Sequence, residues 1–352
     1  MNDVTVEGDS DAVVITDTSK SFDRNDQNLP TNQTIPTMLR RHFFRVGLAV
    51  VTTLALVGCG GDPSTTGPNE SASPEEAPSA ESPIFYISAI PDEKITDQKA
   101  KFDKLAAYLT EKLGVEAEFV FSKDYADAVT KFSNGEVHLV WFGGLSGVQA
   151  RMAVDGAQAI AQGKADPQYK SYFIANKDAG LSPSADFPAA IKDMTFTFGS
   201  PGSTSGRLMP TFFIMENNGG VHPDEWFAAK PGFQMSGGHV ATANAVADGT
   251  YQTGALNYKT YDSLVESDPK IAENTVKIWT TPFYADYNFT IHPDAEAAFG
   301  AGFAQKVQTA LIEAPSGSDA LKAINRESII SAKNEDFEGI KTTAVQMGLI
   351  EE

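Results

Sequence analysis

The sequence predicts an α/β protein of two lobes with a ligand cleft between them. Strand-like and helix-like segments alternate along the body of the chain, which is typical of parallel sheets covered by helices. The same order of segments occurs in both halves: a helix that ends at an acid or amide plus glycine, then a strand, then a loop. Two such sheets turn their strand-end loops toward one cleft, where ligands tend to bind.

The first half of the body begins with a short β-rich segment over residues 84–90, which ends at Pro91 and Asp92. Apolar residues at helical spacing then predict a helix that stops at Gly114. The next predicted elements are a strand over residues 115–121, a helix from Tyr125 to Phe132 closed by Asn134-Gly135, and a buried strand over residues 137–142 that leads into Gly143-Gly144.

The second half repeats this order. It contains a predicted strand over residues 195–198, a helix over residues 207–216, a helix that includes Ala241, Ala245 and Val246, and a strand over residues 252–256. A strand over residues 277–281 is predicted to return the chain to the first lobe, and residues 299–350 are predicted to be mainly helical. We therefore expect residues 84–173 and 281–352 to form lobe 1 and residues 174–280 to form lobe 2.

Composition excludes several classes of protein. The chain has 352 residues, of which 41% are hydrophobic, and a net charge of -19. That apolar content argues against wholesale disorder, and the negative charge argues against nucleic acid as the main partner. One cysteine and five histidines without a His-Glu-x-x-His motif exclude an intramolecular disulfide and disfavour a zinc site. We predict no metal and no cofactor.

The N-terminal region predicts export. A basic stretch over residues 38–45 precedes an apolar run over residues 46–57, which is too short to span a bilayer and typical of a signal peptide. Leu56-Val57-Gly58-Cys59 resembles the bacterial lipobox, whose cysteine becomes lipidated. We therefore expect residues 1–58 to be a leader and lipoprotein signal peptide, with Met38 as an alternative start.

In the alternative interpretation, Cys59 is incidental to an ordinary signal peptide, and the Arg40-Arg41 pair leaves Sec and Tat export both open. Residues 59–83 are rich in Gly, Ser, Pro, Thr and Glu and predict a disordered tether. The protein is thus predicted to be anchored by lipid on the periplasmic or cell-surface side of a bacterial membrane.

The segment Gly199-Ser-Pro-Gly-Ser-Thr-Ser-Gly206 joins a predicted strand to a predicted helix. The first N–H groups of a helix lack intrahelical partners and lie at the positive end of the helix dipole. Three consecutive hydroxyl residues between two glycines therefore predict an uncharged site for a tetrahedral oxyanion. The simpler alternative is a helix cap with glycine-rich turn chemistry.

Three sequence features together resemble the phosphonate/phosphite group of periplasmic substrate-binding proteins, which have a type II periplasmic-binding fold and serve ABC importers. They are Ser203-Thr-Ser-Gly206, Gly237-Gly-His239 and Gly135-Glu-Val-His-Leu-Val-Trp-Phe-Gly143. The resemblance implies that Ser203, Thr204 and Ser205 hold the anion through hydroxyls and adjacent amides, including that of Gly206. It also implies that His239 contacts the anion, although this histidine could instead cap its own helix.

The other candidate ligand residues lie in loops that should face the cleft. They are Asp92, Trp141, Phe142 and Gly143 in lobe 1, Asn257 and Tyr258 in lobe 2, and Tyr284 and Asp286 in the return segment. Trp141 and Phe142 could be core residues, since neighbouring strand residues face opposite ways. Asp286 could accept a hydrogen bond from a protonated oxyanion or could cap a turn.

The predicted function is that of a monomeric solute-binding protein that closes around a phosphonate-, phosphite- or phosphate-like anion and delivers it to an ABC permease and its ATPase. We predict no catalysis on the ligand, because no base or metal cluster accompanies the serines. Arg207 leaves open a sulfate- or selenate-like dianion, since it would add a charge beside the anion. A non-transport sensor or binding module is a further alternative.

Overall fold

Two mixed β-sheets organise the fold, each covered by helices. The computed structural model describes residues 82–351. The predicted signal peptide, Cys59 and the predicted tether as far as residue 81 lie outside this range.

The strands in the described residues are, in chain order, β1 (Phe85–Ala89), β2 (Ala117–Phe119), β3 (Leu139–Phe142), β4 (Gln158–Gly163), β5 (Ser171–Asn176), β6 (Phe196–Phe198), β7 (Gly232–Phe233), β8 (Thr253–Asn257), β9 (Thr275–Thr280), β10 (Asn288–Ile291) and β11 (Ile329–Ser331).

The α-helices in the same range are α1 (Ile95–Leu113), α2 (Tyr125–Ser133), α3 (Gly144–Ala153), α4 (Met209–Glu216), α5 (Pro223–Trp226), α6 (Gly238–Ala247), α7 (Tyr258–Ser267), α8 (Pro269–Asn274), α9 (Asp294–Phe299), α10 (Phe303–Ile312), α11 (Asp319–Ala323) and α12 (Glu338–Gln346). None of these helices combines the length and the apolar character that a membrane span requires.

The first sheet has the strand order β11-β4-β10-β3-β1-β2. Strand β1 runs parallel to β2 and β3, whereas β10 runs antiparallel to both β3 and β4. The carboxyl ends of β1 and β3 therefore share one edge, from which the Asp92 and Gly143 loops emerge. We call the body built around this sheet the first lobe.

The second sheet has the order β7-β6-β8-β5-β9. Strand β6 runs parallel to β7 and β8, and β5 runs antiparallel to β8 and β9. The loops after β6 and β8 emerge at the same edge. We call the body around this sheet the second lobe.

Local signals in the sequence located part of these elements, although not, for example, α3, β4 or β5. Helix α1 ends at Gly114, which has a φ of 71° and donates its N–H to the Thr110 carbonyl, as the predicted glycine stop requires. The predicted fold class, two α/β lobes, is confirmed. However, the sheets are mixed rather than parallel, because β5 and β10 each run against their neighbours.

One predicted strand was assigned the wrong role. The segment predicted over residues 277–281 is part of β9, which belongs to the second sheet and does not return the chain to the first lobe. The return begins after Thr280, and β10 is the first strand of the first sheet on that side. Residues 299–350 also contain the edge strand β11 in addition to helices.

The two chain segments that connect the lobes run side by side. Tyr169 and Tyr284 exchange backbone hydrogen bonds of 2.8 and 3.0 Å. Next to them, the Ser171 N–H donates to Thr281 Oγ1 over 2.9 Å, and the Thr281 N–H donates to the Ser171 carbonyl. The connection between the lobes is therefore a paired two-strand ribbon.

Candidate functional site

The hydroxyl-rich loop runs from β6 into a helix whose first turn is a π turn. The π turn spans Thr204–Leu208 and continues directly into α4, so helical structure begins three residues before the predicted start. The Leu208 N–H donates to the Ser203 carbonyl over 3.0 Å, and the amides before it precede the first intrahelical bond. Amides without intrahelical partners at the positive end of a helix dipole favour an anion.

Ser203 is the N-cap of this turn. Its Oγ accepts a hydrogen bond from the Gly206 N–H over 2.9 Å, which fulfils the capping role that the sequence left open. The hydroxyl proton of Ser203 stays available to an acceptor, because the cap uses only a lone pair of its oxygen. Ser203 and Thr204 are 2% exposed and Ser205 is 1% exposed, so their hydroxyls lie away from bulk water.

Thr204 brings the two lobes into direct contact. Its Oγ1 accepts a hydrogen bond of 2.9 Å from the N–H of Leu145 in the first turn of α3. Gly143 lies against the same point: a Cβ added there would be 3.2 Å from Thr204 Oγ1 and 3.3 Å from Asp286 Oδ1. The loop of the second lobe, the β3–α3 turn and Asp286 therefore converge.

Asp286 is a buried carboxyl group that faces the hydroxyl loop. Its Oδ1 accepts a hydrogen bond of 2.9 Å from the Gly144 N–H, while its buried Oδ2 has no hydrogen-bond partner among the described residues. Burial raises the pKa of Asp286 to about 7, although the Gly144 amide and the Thr204 and Ser205 hydroxyls counteract part of that rise. The carboxyl group is thus poised between its charged and neutral forms near neutral pH.

His239 lies in the first turn of α6 and is 1% exposed. Burial lowers its pKa to about 3, so the imidazole is neutral here. Nδ1 accepts from the Asn257 N–H at 3.3 Å, which assigns the ring proton to Nε2. Nε2 lies 3.4 Å from the Tyr287 hydroxyl, and a Cβ on Gly206 would be 3.3 Å from the imidazole Cε1. His239 therefore offers a neutral N–H donor beside the loop.

The Tyr287 hydroxyl joins residues of both lobes. It accepts a hydrogen bond of 3.1 Å from Asn257 Nδ2 and lies close to the carboxyl group of Asp92. Burial, reinforced by the charge of Glu93, raises the pKa of Asp92 to about 7. Asp92, Asn257 and His239, three of the candidate ligand residues, therefore lie around the Tyr287 hydroxyl.

Sequence reasoning missed Tyr125 and Tyr287. Tyr125 begins α2 and is buried, and its hydroxyl lies close to Ser203 and Asp92. Strand β2 runs parallel to β1 and ends at the same edge of the sheet, so the loop after β2 reaches the site together with the loops after β1 and β3. That parallel pairing was the signal that could have identified Tyr125. Tyr287 directly follows Asp286, a candidate residue.

Tyr284 contacts the hydroxyl loop indirectly, through Ser171, which binds the backbone of the loop. The Ser171 hydroxyl donates to the Ser205 carbonyl over 2.6 Å, and the Tyr284 hydroxyl lies 2.5 Å from the same Ser171 Oγ. Because Ser171 uses its only proton on the carbonyl, Tyr284 is the donor of the second bond. Tyr284 and Ser171 therefore fix the Ser205 peptide from the connecting ribbon.

Three predicted residues lie outside this cluster of side chains. Phe142 packs edge-on against Phe132 in the core of the first lobe. The Trp141 ring stacks on Tyr287, so Tyr287 lies between Trp141 and the cluster. Tyr258 packs against Tyr169. Phe142 is the clear core residue of the Trp141-Phe142 pair, consistent with the alternation that the strand imposes.

Arg207 also points elsewhere. Its guanidinium stacks on the rings of Phe198 and Phe233, with centroid distances of 4.6 and 4.9 Å, and donates to Thr211 Oγ1 over 2.8 Å. The positive charge that the sequence predicted beside the hydroxyl loop therefore packs on aromatic rings of the second sheet.

A buried ion pair, Arg326–Asp166, packs against the aromatic rings of Trp141 and Tyr287. Arg326 binds Asp166 through Nε and Nη2, at 2.7 to 3.0 Å, with side-chain exposures of 4% and 0%. Burial lowers the pKa of Arg326, but the Asp166 charge outweighs it and the net shift is upward. The guanidinium also lies over the rings of Trp141 and Tyr287.

Residues 82–351 contain no group of three or more His, Cys, Asp or Glu placed to hold a metal ion.

Comparison with known proteins identifies the family of this chain. The sequence profile of the family described as "ABC transporter, phosphonate, periplasmic substrate-binding protein" matches residues 87–337, which is most of the chain. The chain belongs to this family. It is therefore a substrate-binding protein rather than an enzyme, and the resemblance stated from the sequence is confirmed.

Curated relatives lie in the same family. The chain is 35% identical over 264 residues to the protein named "Probable ABC transporter phosphite binding protein PhnD1" of Prochlorococcus marinus, covering 73% of this chain and 88% of that one. It is also 35% identical over 191 residues to the "Phosphate-import protein PhnD" of Mycolicibacterium smegmatis, covering 51% of this chain and 56% of that one.

A solved structure of the Prochlorococcus marinus PhnD1 in complex with methylphosphonate superposes with a TM-score of 0.71 at 32% identity, covering 76% of this chain and 99% of that one. A binding-protein component of a phosphonate ABC transporter from Pseudomonas aeruginosa shares the fold, with a TM-score of 0.65 at 20% identity, over 76% of this chain and 87% of that one.

Proposed function

We propose that this periplasmic binding protein captures a small tetrahedral oxyanion of the phosphonate or phosphite class and delivers it to an ABC permease and its ATPase. The observation that carries the proposal is the apposition of the hydroxyl loop, residues 203–206, to the unpartnered oxygen of Asp286. The named ligands of the relatives, which are phosphite, phosphate and methylphosphonate, support the same class.

We expect that the bound ligand and Asp286 carry at least one proton between them. The ligand oxygens would accept hydrogen bonds from the hydroxyls of Ser203, Thr204 and Ser205, from backbone amides of residues 203–206, and from the His239 N–H. One oxygen would meet Asp286 Oδ2, where two unprotonated groups would repel each other. A proton on either the ligand or the carboxyl group converts that repulsion into a hydrogen bond.

The same argument makes binding of a sulfate- or selenate-like ligand depend on a protonated Asp286. Those anions carry no proton near neutral pH, so Asp286 must be protonated to form the hydrogen bond with them. The sequence-level reason for a dianion was Arg207, and its guanidinium is stacked on Phe198 and Phe233 instead.

We further propose that binding closes the two lobes about the ribbon formed by Tyr169 and Tyr284. The direct contacts from Leu145 to Thr204 and from Tyr287 to His239 support this arrangement as the closed form. The anion would stabilise it through contacts that both lobes make at once.

The test is calorimetry on the double variant Ser203→Ala with Thr204→Ala. Methylphosphonate and phosphite should bind the natural protein, and the double variant should lose at least about 100-fold in affinity, since two buried donors to a charged group each contribute about 1.5–3 kcal/mol. Ser184→Ala is the matched control, because Ser184 also caps a backbone N–H, that of Asp186, at an exposed site. Equal affinity of the double variant and the control would refute the site.

Lipid anchoring through Cys59 and action as a monomer are the remaining parts of the proposal. Cys59→Ala should move the protein from the membrane fraction to the soluble periplasmic fraction without changing calorimetric affinity. A variant that stays in the membrane fraction would contradict the anchor while leaving the binding site intact.

A further inference from the structure

We propose that Gly238 is a positioning residue for lobe closure: the absence of a side chain at this position lets the start of α6 rest on the backbone of Asp92 across the cleft. The proposal rests on the closure that forms part of the proposed function. It adds a residue that touches no ligand but decides whether the closed form can be reached.

The contact is between backbones of opposite lobes. Gly238 is the first residue of α6 in the second lobe, and Asp92 follows β1 in the first. A Cβ added at Gly238 would lie 2.5 Å from the carbonyl carbon of Asp92 and 2.6 Å from its Cα, and closer still to the carbonyl oxygen. Atoms at such distances overlap severely, so one lobe would have to move away.

The Asp92 backbone is held where it is. The Asp92 N–H donates to the Ile90 carbonyl over 3.0 Å, and the buried amide of Gln98 donates to the same carbonyl over 2.6 Å. Because this turn is tied to the first turn of α1, relief of the overlap would come from separating the lobes rather than from shifting the turn.

Separation at this point would reach the ligand site. His239 follows Gly238 directly, and the Asp92 carboxyl group lies close to Tyr287, whose hydroxyl is 3.4 Å from His239 Nε2. A wedge between Gly238 and Asp92 would therefore pull the His239 donor away from the first-lobe half of the site.

Gly237 provides a control for backbone strain. Both glycines have a positive φ, 77° for Gly237 and 54° for Gly238, which disfavours any side chain at either position. A Cβ at Gly237, however, would meet only Ala241 of its own helix, at 3.2 Å. The two alanine variants share the conformational penalty and differ in the contact across the cleft.

The experiment compares Gly238→Ala with Gly237→Ala by three measurements: melting without ligand, calorimetry with methylphosphonate, and small-angle X-ray scattering with and without methylphosphonate. Both variants should melt at similar temperatures. Gly238→Ala should bind about 100-fold more weakly than Gly237→Ala, because the competent closed form becomes rare. Its radius of gyration should stay at the open value at methylphosphonate concentrations that contract the control.

Three results would overturn the proposal. Gly238→Ala could bind and contract like Gly237→Ala, which would mean that no wedge forms. It could melt far lower than Gly237→Ala without ligand or fail to fold, which would make Gly238 a folding residue. It could contract normally but bind weakly, which would place its effect in the ligand site. Failure of the natural protein to bind any oxyanion would instead refute the proposed function, and the two failures are thus distinguishable.

Discussion

Asp286→Asn should change how the stability of the protein depends on pH. Burial raises the pKa of Asp286 from 3.8 to about 7 in the folded protein. Between these values the folded state holds a proton that the unfolded state has released, so this group makes stability fall as pH rises toward 7. Below pH 3.8 both states are protonated, and above about pH 7 the full penalty for a buried charge is present.

The magnitude follows from the width of that window. Between pH 5 and pH 7 the folded protein loses about 1.4 kcal/mol per pH unit from this group, or about 3 kcal/mol in total. For a protein of this size each kcal/mol shifts the melting temperature by about 2–4 °C. The melting temperature of Asp286→Asn relative to the natural protein should therefore be about 6–12 °C higher at pH 8 than at pH 5.

Thermal melts at both pH values, without ligand, provide the measurement. Asparagine keeps an oxygen for the Gly144 N–H but leaves a buried N–H₂ group, which costs stability equally at both pH values. The comparison between pH values removes this constant cost. Asp178→Asn, which changes the same charge at an exposed position, is the control. A difference for Asp286→Asn that is the same at pH 5 and pH 8 would refute the reasoning.

Two further predictions concern the residues that support the site. Arg326→Gln leaves Asp166 buried without its partner and should lower the free energy of unfolding by about 3–5 kcal/mol, measured by urea denaturation. Lys322→Gln, in an exposed pair with Asp319, should change it by less than about 0.5 kcal/mol, and similar losses in both variants would contradict the prediction. Tyr125→Phe should weaken methylphosphonate binding about fivefold by removing a buried hydroxyl next to Ser203, as measured by calorimetry. Tyr108 is the control, because its hydroxyl binds the Ala310 carbonyl, and Tyr108→Phe should leave the affinity unchanged. Equal affinities of the two variants would count against a role for Tyr125.

The sequence located features that depend on neighbouring residues. The glycine stop of α1 and the hydroxyl-rich start of the π turn are determined within a few residues by backbone conformation and capping. For the same reason the order of strands and helices, and with it the two-lobed α/β class, could be read from periodicity. The resemblance to phosphonate-type binding proteins rested on such short segments and was confirmed.

The tertiary structure decided what those segments face. Thr204 meets Leu145 59 residues away, and Arg326 meets Asp166 160 residues away. The apposition of Asp286 to the hydroxyl loop, the direction of Arg207 and the contact of Gly238 with Asp92 likewise depend on how the two sheets are connected. Periodicity and capping act over a few residues, so they carry no information about which distant loops meet. The sequence by itself therefore predicted an oxyanion site at the hydroxyl loop, and only the packing of one lobe on the other determined which carboxyl group, tyrosines and glycine lie around that loop.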